Sequence, residues 1–154
     1  MKEQRVTFKS GDLTLEGMIA YPRDSGPYRA AVVCHPHPLY GGSMYNNVVD
    51  AVLEALHARG FATLRFNFRG VGESEGEFDN GNGEADDAIA AVHFLTTQTE
   101  VSGAGAVLAG YSFGAITAVR AAASVEKVTA IVTVALPLGM IDPSTLGTIA
   151  KPIV

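Results

Sequence analysis

One cysteine, Cys34, is all that the 154 residues contain, so no disulfide can close within the chain, and a lone thiol fits a reducing compartment. Lysine and arginine cluster nowhere and the formal net charge is −5, which argues against nucleic acid and against an anionic membrane surface as partners. Long apolar runs are missing too. The longest, Ala130 to Ile141, falls short of the roughly 20 residues that span a bilayer, and the polar opening Met1–Thr7 leads into no signal-peptide core. These absences predict a soluble, cytoplasmic protein whose partner is a small neutral molecule.

What is present is an ordinary globular composition, 47% hydrophobic and 18% charged. A chain of this length buries roughly two-thirds of its unfolded surface, and one domain, 1–154, is the simplest count. Val6 and Phe8, a Ser10-Gly11-Asp12 turn, and then Leu13, Leu15, Met18 and Ile19 predict an antiparallel hairpin. After a Pro/Gly-rich loop, Pro22–Pro27, the run Ala30–Cys34 is apolar without alternation, as in a strand buried on both faces. A helix over Met44–Arg59, N-capped by Ser43, precedes a strand over Phe61–Phe68. A polar loop, Arg69–Gly83, leads to a helix over Glu84–Thr97 with Glu84, Asp86 and Asp87 in its first turn. A strand at Ala104–Ala109, a helix at Phe113–Ser124, a strand at Val128–Ala135 and a short helix near Ser144–Ile149 complete the alternation. The pattern predicts an α/β fold: a mostly parallel sheet with an N-terminal antiparallel hairpin and helices on both faces.

The strongest chemical signal is Gly110-Tyr111-Ser112-Phe113-Gly114, a G-x-S-x-G set between an apolar strand and an alanine-rich helix. That context defines a nucleophile elbow, a turn so tight that only small residues fit two places before and after the serine. It raises the hydroxyl above the sheet and aims helix N-terminal N–H groups at a developing oxyanion. A second match, Gly72-Glu73-Ser74-Glu75-Gly76, lies in a polar loop between two glutamates with no helix after it, so Ser112 is the candidate nucleophile.

The loop His35-Pro36-His37-Pro38-Leu39-Tyr40-Gly41-Gly42-Ser43 follows the first parallel strand, where this kind of site takes its second oxyanion donor; the first is the N–H of Phe113. The prolines have no N–H, which leaves His37, Leu39 and Tyr40, and the candidate is the His37 N–H. Leu39, Tyr40 and Tyr111 are the candidate substrate contacts. His35 and His37 could also be read as two metal ligands, but no other ligand cluster is apparent beside them, and no metal is expected. His57 and His93 read as satisfied structural histidines. The segment Gly70–Gly76 departs from G-x-G-x-x-G and carries glutamates where a phosphate would sit, so it reads as turn chemistry at the site's rim, and no cofactor is expected.

With the His-Pro-His-Pro loop, the segment Asn67-Phe68-Arg69-Gly70-Val71-Gly72 and the Gly-Tyr-Ser-Phe-Gly elbow in this order, the chain resembles the compact, lidless α/β-hydrolases related to dienelactone hydrolases and serine aminopeptidase-like hydrolases. The resemblance covers nearly the whole chain. It implies a serine hydrolase of a small acyl ester, thioester or amide, with Ser112 as nucleophile and its oxyanion held at Phe113 and His37. Dienelactone hydrolases proper use cysteine, so their own substrate is not implied.

The resemblance also implies a chain order of Ser, then Asp/Glu, then His. No histidine follows Ser112. Asp142 is the only carboxylate after the strand near Ala135, and preceding Pro143 it reads as a turn residue. The expectation is therefore an N-terminal portion of a longer domain, with later strands and helices missing, nearly inactive alone and self-associating through an exposed sheet edge. A non-catalytic α/β-hydrolase-like binding module and an acyltransferase using the same serine are the alternatives.

Overall fold

The computed structural model describes residues 1–22 and 26–154; residues 23–25 of the expected Pro22–Pro27 loop lie outside the described set. Strands β1 (Glu3–Ser10) and β2 (Leu13–Ala20) pair antiparallel along their whole length. Gly11, at φ 56, makes their turn, a conformation open to glycine at little cost. Strands β3 (Tyr28–Cys34), β4 (Phe61–Phe66), β5 (Val101–Tyr111) and β6 (Val128–Val134) complete one six-stranded sheet in the order β1-β2-β4-β3-β5-β6. The pairs β4–β3, β3–β5 and β5–β6 are parallel, and β2 joins β4 antiparallel. The mixed, mostly parallel sheet agrees with the expected fold class.

Helices α1 (Asn47–His57), α2 (Asn82–Thr96) and α3 (Phe113–Ser124) connect the parallel strands. Successive residues of a strand point to opposite faces, and the core divides accordingly. Val32, Cys34, Leu64, Phe66, Leu108 and Ile131 pack beneath α2 and α3. Val33 and Ala109 face the other way, onto Val49 and Leu53 of α1. Two-sided burial explains why β3 shows no polar alternation.

Two local expectations need correcting. Helix α1 starts at Asn47 rather than Met44, and its cap is Asn46, whose side chain accepts the Val48 N–H at 2.9 Å. Met44 is held outside the helix because its N–H donates to Asn67 Oδ1 at 2.8 Å, and the Ser43 hydroxyl accepts the Tyr45 N–H. In α2, Glu84 alone lies in the first turn, where it accepts the N–H groups of Asp79 and Gly81 at 2.8 and 2.7 Å. Asp86 is exposed, whereas Asp87 is fully buried. Asp87 accepts from Arg69 N, Nε and a terminal guanidinium nitrogen and from Ser10 Oγ. A buried carboxylate needs such partners, so Asp87 ties β1 to the segment after β4 and is not a solvated dipole partner.

At the far edge, the backbone of 152–154 runs beside β6. Ile131 N donates to Pro152 O at 2.9 Å and Val154 N to Ile131 O at 3.0 Å, as in the expected start of a further parallel strand. A five-residue helix, α4 (Pro143–Gly147), is capped by Asp142, which accepts the Ser144 N–H at 2.9 Å. This is the turn role expected of Asp142. No helix among the described residues is long and apolar enough to cross a membrane.

The topology decides where a site can form. Strand β3 has β4 on one side and β5 on the other, so the connections leaving the carboxyl ends of β3 and β5 diverge and open a crevice between them. The His35–Ser43 loop and Ser112 follow those two strand ends.

Candidate active site

Ser112 joins β5 to α3 with φ 53 and ψ −113. For a residue with a Cβ this conformation costs about 1–3 kcal/mol and persists only where surrounding structure enforces it. The enforcement is visible. The Ser112 N–H donates to Val134 O at 2.9 Å, and its carbonyl accepts from Ala115 and Ile116 at 3.0 and 3.2 Å. A Cβ on Gly110 would collide with the Gly114 backbone, and one on Gly114 would collide with the carbonyls of Cys34 and His35. Both glycines of the pattern are thus steric requirements, and the start of α3 is pressed against the end of β3. The Phe113 N–H opens the helix, where backbone donors have no intrahelical partner.

Ser74 is buried, and its hydroxyl is committed on both sides. It accepts the Glu16 N–H at 3.1 Å and donates its proton to Asn67 O at 2.7 Å. A hydroxyl so engaged cannot act as a nucleophile. It closes the 69–76 loop onto β2, together with Glu16, which accepts from the Asn67 amide and the Glu73 N–H. Burial pushes the Glu16 carboxyl upward, but those donors and Arg5 more than offset it and hold it below the ordinary carboxylate range.

In the loop after β3, Pro38–Tyr40 form one turn of 3₁₀ helix. Of its three expected donors, the Leu39 N–H goes to His37 Nδ1 at 3.1 Å and the Tyr40 N–H to His37 O at 3.1 Å. Among the described residues, the His37 N–H has no partner. Gly42 closes the loop, because a Cβ there would strike the Pro36 and His37 carbonyls.

The two histidines differ. His35 is fully buried; its Nδ1 lies 2.6 Å from Pro36 O, and its Nε2 accepts the Phe68 N–H at 3.1 Å. Both ring nitrogens are therefore used, leaving no lone pair for a metal. Burial pushes the His35 imidazole down to about 4. His37 is half-buried and stacks against Phe113, Phe78 and Tyr40, with ring centroids 4.8, 5.0 and 4.5 Å away. Because its Nδ1 accepts from Leu39, the neutral ring carries its proton on Nε2 and presents a donor, not a base. Among the described residues no three His, Cys, Asp or Glu side chains gather as a metal site. Cys34 is sealed in the core, where burial and then the Asp87 charge push its thiol pKa up, so it stays an inert thiol. His93 is exposed; His57 Nδ1 is buried with no partner among the described residues, so the expected satisfaction fails for that atom.

A cleft of about 360 Å³ is lined by His37, Leu39, Tyr40, Phe78, Asn80, Phe113, Ile116, Arg120 and Met140. Leu39 and Tyr40 are among these lining residues, both strongly exposed, and Ser112 is not. Tyr111 is half-buried at the end of β5 and is not among the lining residues. Phe78, Asn80, Arg120 and Met140 went unread in the sequence because they arrive from three separate segments. A signal existed for Arg120 alone: Phe113, Ile116 and Arg120 stand at i, i+3 and i+7, one face of α3.

Comparison with known proteins agrees with this architecture. The chain is 35% identical to an alpha-beta serine hydrolase homologue from Coxiella burnetii, with a TM-score of 0.86 over 99% of this chain and 72% of that one. It is 30% identical to a lidless serine hydrolase from Xanthomonas campestris, with a TM-score of 0.82 over 100% of this chain and 83% of that one. A curated relative, an uncharacterized protein of Rickettsia prowazekii (strain Madrid E), is 42% identical over 112 residues, 72% of this chain; the match spans 46% of that relative's length. Residues 11–146 match the family X-Pro dipeptidyl-peptidase (S15 family). With this sheet order, a strained serine between β5 and α3, and that match over most of its length, the chain belongs to the X-Pro dipeptidyl-peptidase (S15) family and has the α/β-hydrolase fold.

Proposed function

We propose that the chain carries the nucleophile and oxyanion hole of a serine hydrolase that cleaves a small acyl ester, thioester or amide through an acyl-serine at Ser112. The observation that carries this reading is the enforced backbone of Ser112 at the head of α3. In the proposed reaction Ser112 Oγ attacks the acyl carbon and its proton passes to a histidine, which returns it to the departing alcohol, thiol or amine. Water then attacks the acyl-serine, and the acid product leaves. The tetrahedral oxyanion is held by the Phe113 N–H and the His37 N–H, the one of the three candidate donors His37, Leu39 and Tyr40 without another partner among the described residues. Leu39 and Tyr40 border the acyl group.

The histidine and its acid partner belong, in this proposal, to residues other than these 154. His37 presents a donor, His35 has both nitrogens engaged, and Asp142 caps α4. The 154 residues alone are then expected to retain only the weak catalysis of an oxyanion hole. The test is p-nitrophenyl acetate hydrolysis by the longer protein and by its Ser112→Ala form. Loss of turnover on substitution supports the reading. Equal rates in both forms would refute it and favour a binding module.

A further inference from the structure

The overall charge of −5 favours a neutral substrate, but charge near the site is what a substrate meets. Arg120 lines the cleft beside Phe113 and Ile116, is exposed, and makes no ion pair among the described residues. Its guanidinium lies over Gly81, where a Cβ would collide with it, so the glycine makes room for the group at the cleft wall. Two carboxylates near Gly81 hold backbone donors: Asp79 accepts the Gly83 N–H, and Glu84 accepts the N–H groups of Asp79 and Gly81. His37 also lines the cleft. Apart from Asn80, the rest of the cleft is apolar and aromatic, with Leu39, Tyr40, Phe78, Ile116 and Met140.

A cation without an ion pair among the described residues, set among apolar lining residues, suits a ligand with an apolar part and an anionic end. We propose that the acyl group carries a terminal carboxylate, seated on Arg120 while its ester, thioester or amide carbon lies at Ser112; this rests on the serine-hydrolase reading. The planar guanidinium matches a carboxylate in two parallel hydrogen bonds. Arg120 is eight residues beyond Ser112 on α3. Eight residues rise roughly 12 Å, and helical side chains lean back toward the N-terminus, so a spacer of roughly four to six methylene groups bridges the two.

The experiment uses the chain carrying Ser112→Ala, which holds an ester without cleaving it, and titrates it calorimetrically with monomethyl suberate and with dimethyl suberate. The monoester is expected to bind about tenfold more tightly than the diester, with a preference that shrinks as salt is added. Arg120→Gln equalises the two and Arg120→Glu reverses them, while the exposed position leaves the melting temperature unchanged. Equal affinities before substitution, no binding of either ester, or a preference that survives Arg120→Gln would each overturn the proposal. Because the readout is binding, it stays separate from the Ser112 turnover test: loss of the serine reading leaves a carboxylate preference intact, and absence of the preference leaves the serine reading intact.

Discussion

Ser112 and Ser74 occupy the centre of the same five-residue pattern, and the fold places them in opposite circumstances. Ser74 is buried, with its hydroxyl donating to Asn67 O and accepting from Glu16. Ser112 is half-buried, makes its hydrogen bonds through its backbone, and stands at a φ that disfavours a side chain. One serine is stabilised by its surroundings and the other is forced by them. The pair shows that a short pattern identifies a nucleophile only through what precedes and follows it: a strand and a helix around Ser112, a polar loop around Ser74.

The contrast can be broken most sharply by rate. In a form that carries the histidine and acid of the proposed reaction, Ser112→Ala is expected to lower ester turnover by about 10⁶-fold, the scale of losing a nucleophile from an intact triad. Ser74→Ala should leave turnover within a fewfold; parallel steady-state assays decide it, and comparable losses at both positions would erase the distinction.

His35 gives the next largest effect, because it braces both the loop after β3 and the 67–69 segment. Its folded pKa of about 4 lies below its ordinary 6.5, so the unfolded chain takes up a proton first as pH falls. The stability supplied by the neutral ring is complete above pH 6.5 and is lost as pH drops toward 4, at about 1.4 kcal/mol per unit, or roughly 2 kcal/mol by pH 5. Urea midpoints at pH 7 and pH 5 measure this, and His35→Gln should flatten the difference. Carboxylates such as Glu16, held below their usual range, lose their contribution only at lower pH.

Stability also separates the serines by sign. Ser74→Ala leaves the Glu16 N–H and the Asn67 carbonyl without partners and is expected to cost about 1–3 kcal/mol. Ser112→Gly removes the penalty of a positive φ and is expected to raise stability by about 1 kcal/mol while abolishing the nucleophile. Thermal melts of both variants test the pair, and a destabilised Ser112→Gly would show that the serine side chain supports the elbow. The smallest effect is expected at α4: Asp142→Ala removes a helix cap and should lower the melting temperature slightly without changing the chemistry.

Local features were legible in the chain. The antiparallel hairpin, the unalternating β3, the span of α3 and the requirement for small residues at 110 and 114 depend on near neighbours, through side-chain period and backbone collision. Errors occurred where a distant partner intervened. Met44 reads as helix but is pulled out by Asn67, 23 positions away, and Asp87 reads as a solvated first-turn acid but closes on Ser10, 77 positions away.

The sequence by itself therefore determined the α/β order, the elbow and the identity of the candidate nucleophile, because periodicity and sterics act over a few bonds. Tertiary structure alone decided that the His37 N–H lacks a partner among the described residues while Leu39 and Tyr40 have theirs, that His35 braces Phe68, and that Arg120 shares a cleft with Phe78 and Met140. Those outcomes depend on which donors and acceptors meet when strands far apart in the chain become neighbours, and the spacing of residues along the chain does not encode that meeting.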